Sequence, residues 1–85
     1  MYFVYLLRCS DKTLYCGSTR DITKRLVDHN TSKKGAAYTK SRRPVTLVYK
    51  EELPDLSSAL KREHAIKKLS RKEKEQLILN SKDLV

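Results

Sequence analysis

The chain has 85 residues, of which 19 are Lys or Arg and 10 are Asp or Glu, so its formal net charge is +9 at pH 7. This length fits one small domain, and 39% hydrophobic residues are too many for a disordered chain. The charge favours a polyanionic partner, nucleic acid before an anionic membrane or an acidic protein, although it could also serve solubility alone.

Cysteine usage and hydropathy exclude several other classes of protein. Cys9 and Cys16 are the only cysteines, they lack a CxxC spacing, and His29 and His64 do not complete a zinc pattern. Two unpaired thiols suit a reducing compartment. No apolar run reaches the length of a membrane span, and Met1 leads directly into a strand without room for a signal peptide. We therefore expect a cytoplasmic protein with no membrane partner.

The first 20 residues predict a β-hairpin. Two apolar runs, Phe3–Leu7 and Leu14–Gly17, flank the short polar stretch of residues 9–13. Each run carries one tyrosine, Tyr5 in the first and Tyr15 in the second.

The length of the hairpin loop decides whether the two phenols share a face of the sheet. Opposed residues of an antiparallel pair share a face, and side chains alternate with a period of two. An odd loop centred on Asp11 places Tyr5 opposite Gly17 and Tyr15 opposite Leu7, so both phenols lie on one face. A two-residue loop would separate them. We predict the odd loop, because Asp11 and its neighbour do not form the Asn-Gly pair typical of a two-residue turn.

A helix is predicted directly after the hairpin, over roughly Ile22–His29, with Asp21 as its N-cap. Arg25 and His29 are four residues apart and therefore lie on one flank of this helix. The stripe expected to face inward is apolar and consists of Ile22, Leu26 and Val27.

Three further elements are predicted beyond the polar and basic residues 30–44. Val45–Tyr49 is β-branched with alternating faces, which is typical of a third strand. A second helix is expected to begin after Asp55 or Ser57 and to extend to about Leu69.

A third, short helix is predicted by the capping-box spacing of Ser70 and Glu73, and it would be buried through Leu77 and Ile78. We expect the tail, residues 80–85, to fray. The order ββαβαα predicts one α+β domain over residues 1–85, a small three-stranded antiparallel sheet with helices packed on it.

The second helix contains an anomaly at Glu63. Its carboxylate falls within the apolar arc of the helix, where it is costly unless a cation or a metal compensates it. The alternative is that Glu63 lies at the edge of the arc and pairs with Lys67, worth about 0.2–0.5 kcal/mol. Periodicity alone favours neither. The arc itself consists of Leu56, Ala59, Leu60 and Ile66.

The ordered set of Tyr5, Tyr15-Cys16-Gly17, Arg25, His29 and Glu63 resembles the GIY-YIG nuclease domain. The resemblance covers roughly residues 2–79 and is closest to the small stand-alone bacterial members of the YhbQ/YazA-like group.

Additional matching segments are Gly35–Thr39 and Ile66–Ser70. There are two departures from the family pattern. Phe3-Val4-Tyr5 lacks the usual leading glycine, and Cys16 replaces the central isoleucine of the second motif. Both are compatible with a strand, because the tyrosines and Gly17 are kept.

The resemblance implies a DNA endonuclease that needs one divalent metal, Mg²⁺ or Mn²⁺, with Glu63 as its only protein ligand. Arg25 would hold the scissile phosphate, and His29 would orient or deprotonate the water or hold a phosphate oxygen. Tyr5 and Tyr15 would position the water. One phenol could also act as general base, if nearby cations lower its pKa from about 10. Which of Tyr5, Tyr15 and His29 takes the proton stays open.

Further residues are expected to contact phosphates of the nucleic acid. Such contacts do not distinguish base sequences, because phosphates are the same at every position. Gly17 would let the backbone approach a phosphate, or else mark a bulge. Tyr38 would stack on a base or pack on the core. A solvated charge run is the alternative for the basic residues, which are Lys33, Lys34, Lys40, Arg42 and Arg43, with Lys67, Lys68, Arg71 and Lys72 as a weaker extension.

Three functions therefore compete. The first is a metal-dependent endonuclease domain, possible substrates being branched or damaged DNA. The second is a non-catalytic basic nucleic-acid-binding module on the same fold, and the third is a basic protein that docks on an acidic partner.

Overall fold

The computed structural model describes residues 1–31 and 37–81, and describes side chains for residues 1–31 and 39–81. The elements are β1 (Tyr2–Arg8), β2 (Leu14–Thr19), α1 (Ile22–Thr31), α2 (Ala37–Lys40), β3 (Thr46–Leu53), α3 (Leu56–Lys67) and α4 (Arg71–Asn80). The predicted α+β class and order are confirmed. The single turn α2 is an addition that the sequence pattern does not predict. Residues 82–85 of the predicted frayed tail lie outside the described residues.

The sheet has the strand order β2-β1-β3, and both pairings are antiparallel. The β1–β2 loop spans residues 9–13, so the predicted odd loop is confirmed. Tyr5 lies opposite Gly17 and Leu7 lies opposite Tyr15, which places both phenols on one face.

The hairpin turn is fastened to the segment that precedes β3. The Asp11 carboxylate accepts hydrogen bonds from the Thr13 backbone N (3.1 Å) and hydroxyl (2.6 Å), and from Nε of Arg42 (2.9 Å). The backbone N of Ser10 donates to the Arg42 carbonyl at 2.9 Å. These contacts fix the end of the hairpin that is distant from Tyr5.

One face of the sheet packs against α3 and α4. Val4 and Leu6 of β1 are fully buried with Ala59 and Ile66 of α3, and Cys16 of β2 joins this cluster. The predicted burial of the third helix is confirmed in part, since α4 packs on the cluster through the half-buried Leu77 and Ile78.

The opposite face packs against α1. Tyr5 and Leu7 of β1 form a second buried cluster with Val45, and α1 contributes Ile22 and Leu26 to it. The central strand β1 is therefore buried on both faces, although the sheet has only three strands.

For three residues, the prediction that they lie in the core is wrong. Val27 is 54% exposed, and Leu56 and Leu60 are 47% and 51% exposed. Each apolar stripe is narrower than its sequence pattern indicates, since α3 buries only Ala59 and Ile66 completely. The small sheet offers each helix a narrow contact, and side chains that flank this contact remain in water.

Strand β3 is longer than the predicted Val45–Tyr49 and contains a bulge. Leu6 pairs with Tyr49 and Leu7 with Leu47, so Val48 is an extra residue in β3. Asn30 at the end of α1 holds the entry to β3, accepting from the Val45 backbone N at 2.7 Å and donating to its carbonyl at 3.0 Å.

The predicted helix starts are confirmed. Asp21 and Asp55 each accept from the backbone N of the third following residue, at 3.0 and 2.7 Å. Ser70 forms the predicted capping box with Glu73. In the part of the chain that is described, we find no helix with the length and apolar character of a membrane span.

An ion pair joins α4 to the central strand and should make stability depend on pH. Two nitrogens of Arg8 bind the two oxygens of Glu75 at 2.7 and 2.9 Å, which lowers the pKa of Glu75 from 4.5 to about 2. The pair therefore stabilises the fold above pH 4.5, and this contribution is lost as the pH falls from 4.5 to about 2. Both side chains are about one third exposed, so solvent limits the gain to about 1 kcal/mol.

The measurement is urea unfolding of the wild type and Glu75→Gln at a series of pH values. We expect the wild type to be more stable near neutral pH and the difference to shrink progressively below pH 4.5. A difference that stays constant through this range would contradict the assignment.

We predict that any side chain at position 17 destabilises the fold, because Gly17 lies directly opposite Tyr5 of the neighbouring strand. A Cβ atom at this position would lie 2.6 Å from Oη and 2.8 Å from Cζ of the buried Tyr5. Gly17→Ala should therefore lower the free energy of unfolding by about 1–3 kcal/mol, the usual cost of overpacking. Tyr5→Phe removes Oη, the nearer of these two atoms. Gly17→Ala should therefore lower the free energy of unfolding by less when position 5 is phenylalanine. Equal costs in the two backgrounds, measured by urea unfolding, would show that the phenol is not the obstacle.

Candidate active site

A chain of hydrogen bonds runs through the α1 face of the sheet. The guanidinium of Arg25 lies near the phenol of Tyr5 and acts to lower its pKa. The phenol oxygen lies 2.9 Å from Nε2 of His29, whose Nδ1 lies 2.8 Å from Oγ1 of Thr39. Tyr5 is 2% exposed, and His29 and Thr39 are completely buried. A cation thus lies next to a polar network inside the core.

The buried part of this network is electrically neutral at neutral pH. Burial raises the pKa of Tyr5 to about 12, although Arg25 opposes this shift. Burial, together with the charge of Arg25, lowers the pKa of His29 to about 4. Each ring nitrogen of the neutral imidazole has one hydroxyl partner, Tyr5 at Nε2 and Thr39 at Nδ1.

Tyr15 completes an aromatic group around His29. Its ring centroid lies 5.2 Å from that of the imidazole at an interplanar angle of 61°, an edge-to-face contact. Tyr15 is half-buried, whereas Tyr5 is almost completely enclosed. Tyr15 is therefore the more accessible of the two phenols.

Glu63 approaches β2 from the α3 side. One carboxylate oxygen accepts from the hydroxyl of Ser18 at 2.6 Å, and the other pairs with Nζ of Lys67 at 2.7 Å. The Glu63 side chain is 18% exposed. Burial raises its pKa, but the hydrogen bonds from Lys67 and Ser18 outweigh burial, so the pKa lies below its ordinary value and the carboxylate is ionised at neutral pH.

The structure brings four of the five predicted catalytic residues together, and the fifth, Glu63, lies on the α3 side of β2. Tyr5, Tyr15, Arg25 and His29 touch one another on the α1 face. The charge of Glu63 acts on the Tyr5 phenol and contributes to its raised pKa. The ion pair that was the alternative for Glu63 is also present.

The residues around Glu63 fit a divalent cation bound through one carboxylate. Within residues 1–31 and 37–81, no group of three His, Cys, Asp or Glu side chains is close enough to hold a metal. A single ionised carboxylate suits Mg²⁺, which prefers oxygen ligands and keeps several of its waters. Since Lys67 occupies one Glu63 oxygen, its ammonium would have to move aside.

The cations predicted to follow a DNA backbone are not equivalent. Arg42 pairs with Asp11, and Arg43 donates to the carbonyls of His29 and Asp28 at the end of α1. Lys40 is exposed. Lys33 and Lys34 lie outside the described residues, as does the side chain of Tyr38.

The four basic residues around the end of α3 and the start of α4 that were expected to extend this set more weakly also differ, since only two of them form ion pairs with other described residues. Lys67 pairs with Glu63, and Arg71 pairs with Glu75 at 3.3 Å. Lys68 and Lys72 are exposed.

Sequence reasoning missed two residues that support the site. Thr39 binds His29, but it lies in the single turn α2, whose position relative to α1 no local pattern predicts. Ser18 binds Glu63, and the two-residue period of β2 could have revealed it. Ser18 lies two positions after the buried Cys16 and so faces α3, as Cys16 does.

Comparisons with known proteins identify the family of this chain. The family model of the GIY-YIG catalytic domain matches residues 1–76 of this chain. A UPF0213 protein of Syntrophus aciditrophicus is 63% identical over 76 residues, covering 89% of this chain and 87% of that protein. One from Desulfotalea psychrophila is 54% identical over 77 residues, covering 91% and 70%.

Two solution NMR structures are also similar. A UPF0213 protein from Bacillus halodurans has 40% sequence identity and a TM-score of 0.61, covering 98% of this chain and 89% of that one. A protein from E. faecalis has 43% identity and the same TM-score, with coverages of 88% and 79%. These names state no activity. The chain therefore belongs to the family of GIY-YIG catalytic domains, and this membership supports a nuclease-type function.

Proposed function

We propose that this domain is a metal-dependent endonuclease that hydrolyses phosphodiester bonds in DNA, with branched or damaged DNA as its substrate class. The observation that carries the proposal is the Arg25–Tyr5–His29 network in the neighbourhood of the ionised Glu63. It supplies a fixed cation for the phosphate and a carboxylate for a metal. The net charge of +9 suits a nucleic-acid substrate.

Arg25 is proposed to bind the scissile phosphate. It lies near the buried phenol of Tyr5 and acts to lower its pKa, so this cation is next to the network before substrate arrives. A preorganised cation stabilises the charge that develops on the phosphate in the transition state without reorganising at that moment. Tyr5 and His29 would then act on Arg25 as positioning residues.

The proton acceptor must satisfy a further constraint. Tyr5 keeps its proton at neutral pH because its pKa is raised to about 12, and both ring nitrogens of His29 are already hydrogen-bonded. Tyr5 can therefore accept a proton from water only if cations at the site lower this pKa by several units. Tyr15 is more accessible and is the better placed phenol to contact the attacking water.

Glu63 is proposed to hold the metal, with Ser18 orienting its carboxylate through the 2.6 Å hydrogen bond. When bound, the metal would supply charge stabilisation and an acidified water.

The non-catalytic binding module remains a second candidate because of one contact. The ammonium of Lys67 lies 2.7 Å from Glu63 and forms an ion pair with the carboxylate that would have to bind the metal in a catalytic domain. In that case the domain would bind nucleic acid through its charge and never cut it.

The first test removes the charge of Glu63. Glu63→Gln should reduce cleavage at least about 100-fold, since losing even a hydrogen-bond partner of a metal ligand costs about 10–100-fold. DNA binding should change little, because the variant removes a negative charge. Cleavage and binding are measured on linear, nicked, flapped and four-way-junction DNA with Mg²⁺ or Mn²⁺. Glu52→Gln, which removes an exposed carboxylate from β3, is the matched control.

The outcomes separate the two candidates. Cutting by the wild type and by Glu52→Gln, but not by Glu63→Gln, supports the endonuclease. Binding without cutting on every DNA supports the module. If no DNA is bound, or if binding lacks a steep dependence on salt, nucleic acid is the wrong partner.

The second test concerns competition between Lys67 and the metal. Lys67→Met removes the ammonium from the Glu63 oxygen, so Mn²⁺ should bind about two- to fivefold more tightly, the equivalent of an ion pair worth about 0.4–1 kcal/mol. Electron paramagnetic resonance of free Mn²⁺ measures this affinity without any substrate. Lys68→Met makes the same charge change at an exposed neighbour and should have a smaller effect. Equal effects of the two variants would mean that Lys67 does not occupy the metal position.

A further inference from the structure

We propose that the groove at the start of α1 binds a second phosphate of the DNA, the one next to the scissile phosphate on the same strand. This inference rests on the proposed function and extends it by one binding subsite, formed by Arg20 and Lys24. Neither residue belongs to the basic segment for which the sequence predicts DNA contacts.

The groove lies between the end of β2 and the first two turns of α1 and has a volume of about 360 Å³. Arg25 forms part of its wall and also acts on the pKa of the Tyr5 phenol. The same residue therefore borders both the catalytic network and the groove. A strand whose scissile phosphate binds Arg25 would place a neighbouring phosphate in or beside this groove. The lining residues are Thr19, Arg20, Asp21, Lys24, Arg25 and Asp28.

Arg20 and Lys24 have cationic groups that are available to a ligand. Among the described residues, neither side chain forms a hydrogen bond or an ion pair. The guanidinium of Arg20 lies over the ring of Tyr2, 5.5 Å from its centroid, which restrains it while leaving its N–H groups unused.

The acidic residues of the groove do not neutralise these cations pairwise. Asp21 uses one carboxylate oxygen to cap α1 through the backbone N of Lys24, and Asp28 forms no ion pair with another described residue. Lys24 and Asp28 have the i, i+4 spacing of a helix-surface ion pair, yet no such pair forms. With three cations and two carboxylates, the groove keeps an excess of one positive charge.

The basic segment before β3 is a poorer phosphate site than its charge indicates. Arg42 is paired with Asp11, and Arg43 donates to two carbonyls at the end of α1. A phosphate there would compete with contacts that hold the fold together. The side chains of Arg20 and Lys24 form no such contacts with other described residues, and they line the same groove as Arg25.

The experiment combines protein variants with DNA in which single phosphates are neutral. Methylphosphonates are placed one at a time on either side of the cleavage position, or of the junction point if no cleavage occurs. Binding is measured for the wild type and for Arg20→Gln/Lys24→Gln. The matched control is Lys50→Gln/Lys61→Gln, which removes the same charge from exposed positions and also disturbs one cation–π contact, that of Lys50 with Phe3.

We expect one flanking methylphosphonate to weaken binding of the wild type and of the control, but to weaken the groove variant much less. The slope of log affinity against log salt should also fall by about 1 in the groove variant for the lost phosphate contact. Equal weakening of all three proteins, or no weakening at any flanking position, would overturn the inference while the proposed function stands. Failure of the wild type to bind DNA would overturn both.

Discussion

The phenol oxygen of Tyr5 is the point on which the geometry of this domain depends. It lies against Gly17 of the neighbouring strand and 2.9 Å from Nε2 of His29, and Arg25 acts on its pKa. One atom of the central strand thus fixes the distance between β2 and the flank of α1. Any side chain at position 17 would displace this atom, so the glycine matters for the space it leaves rather than for an unusual backbone angle.

Burial of this contact determines which groups carry charge. Tyr5 and His29 are neutral because the core around them disfavours ionisation, and the charged groups Arg25 and Glu63 lie towards its margin. The result is a rigid neutral scaffold that holds a cation on one side of β2, with an anion on the other. Under the proposed function, the substrate phosphate would bind the cation and the metal would bind the carboxylate.

Much of this could be predicted because it depends on local rules. The odd hairpin loop sets the register of Tyr5 and Gly17, and the spacing of Arg25 and His29 places them on one flank of α1. The contact of Thr39 with His29 could not be predicted, because it depends on how the short turn α2 packs against α1. The exposure of Val27 was missed for a related reason, since periodicity gives the direction of an apolar stripe but not the width of the surface that covers it.

Net charge is the least direct guide to the binding surface of this domain. Arg8, Arg42, Arg43 and Arg62 all bind carboxylates or carbonyls of the protein itself, and the first of these anchors α4 to the central strand. In a domain of 85 residues with a small core, such contacts compensate for limited apolar burial. A basic residue is therefore a candidate phosphate ligand only where the fold has no use for its charge. By that criterion Arg20 and Lys24, which line the same groove as Arg25 and form no hydrogen bond or ion pair with a described residue through their side chains, are the candidate phosphate ligands at the start of α1.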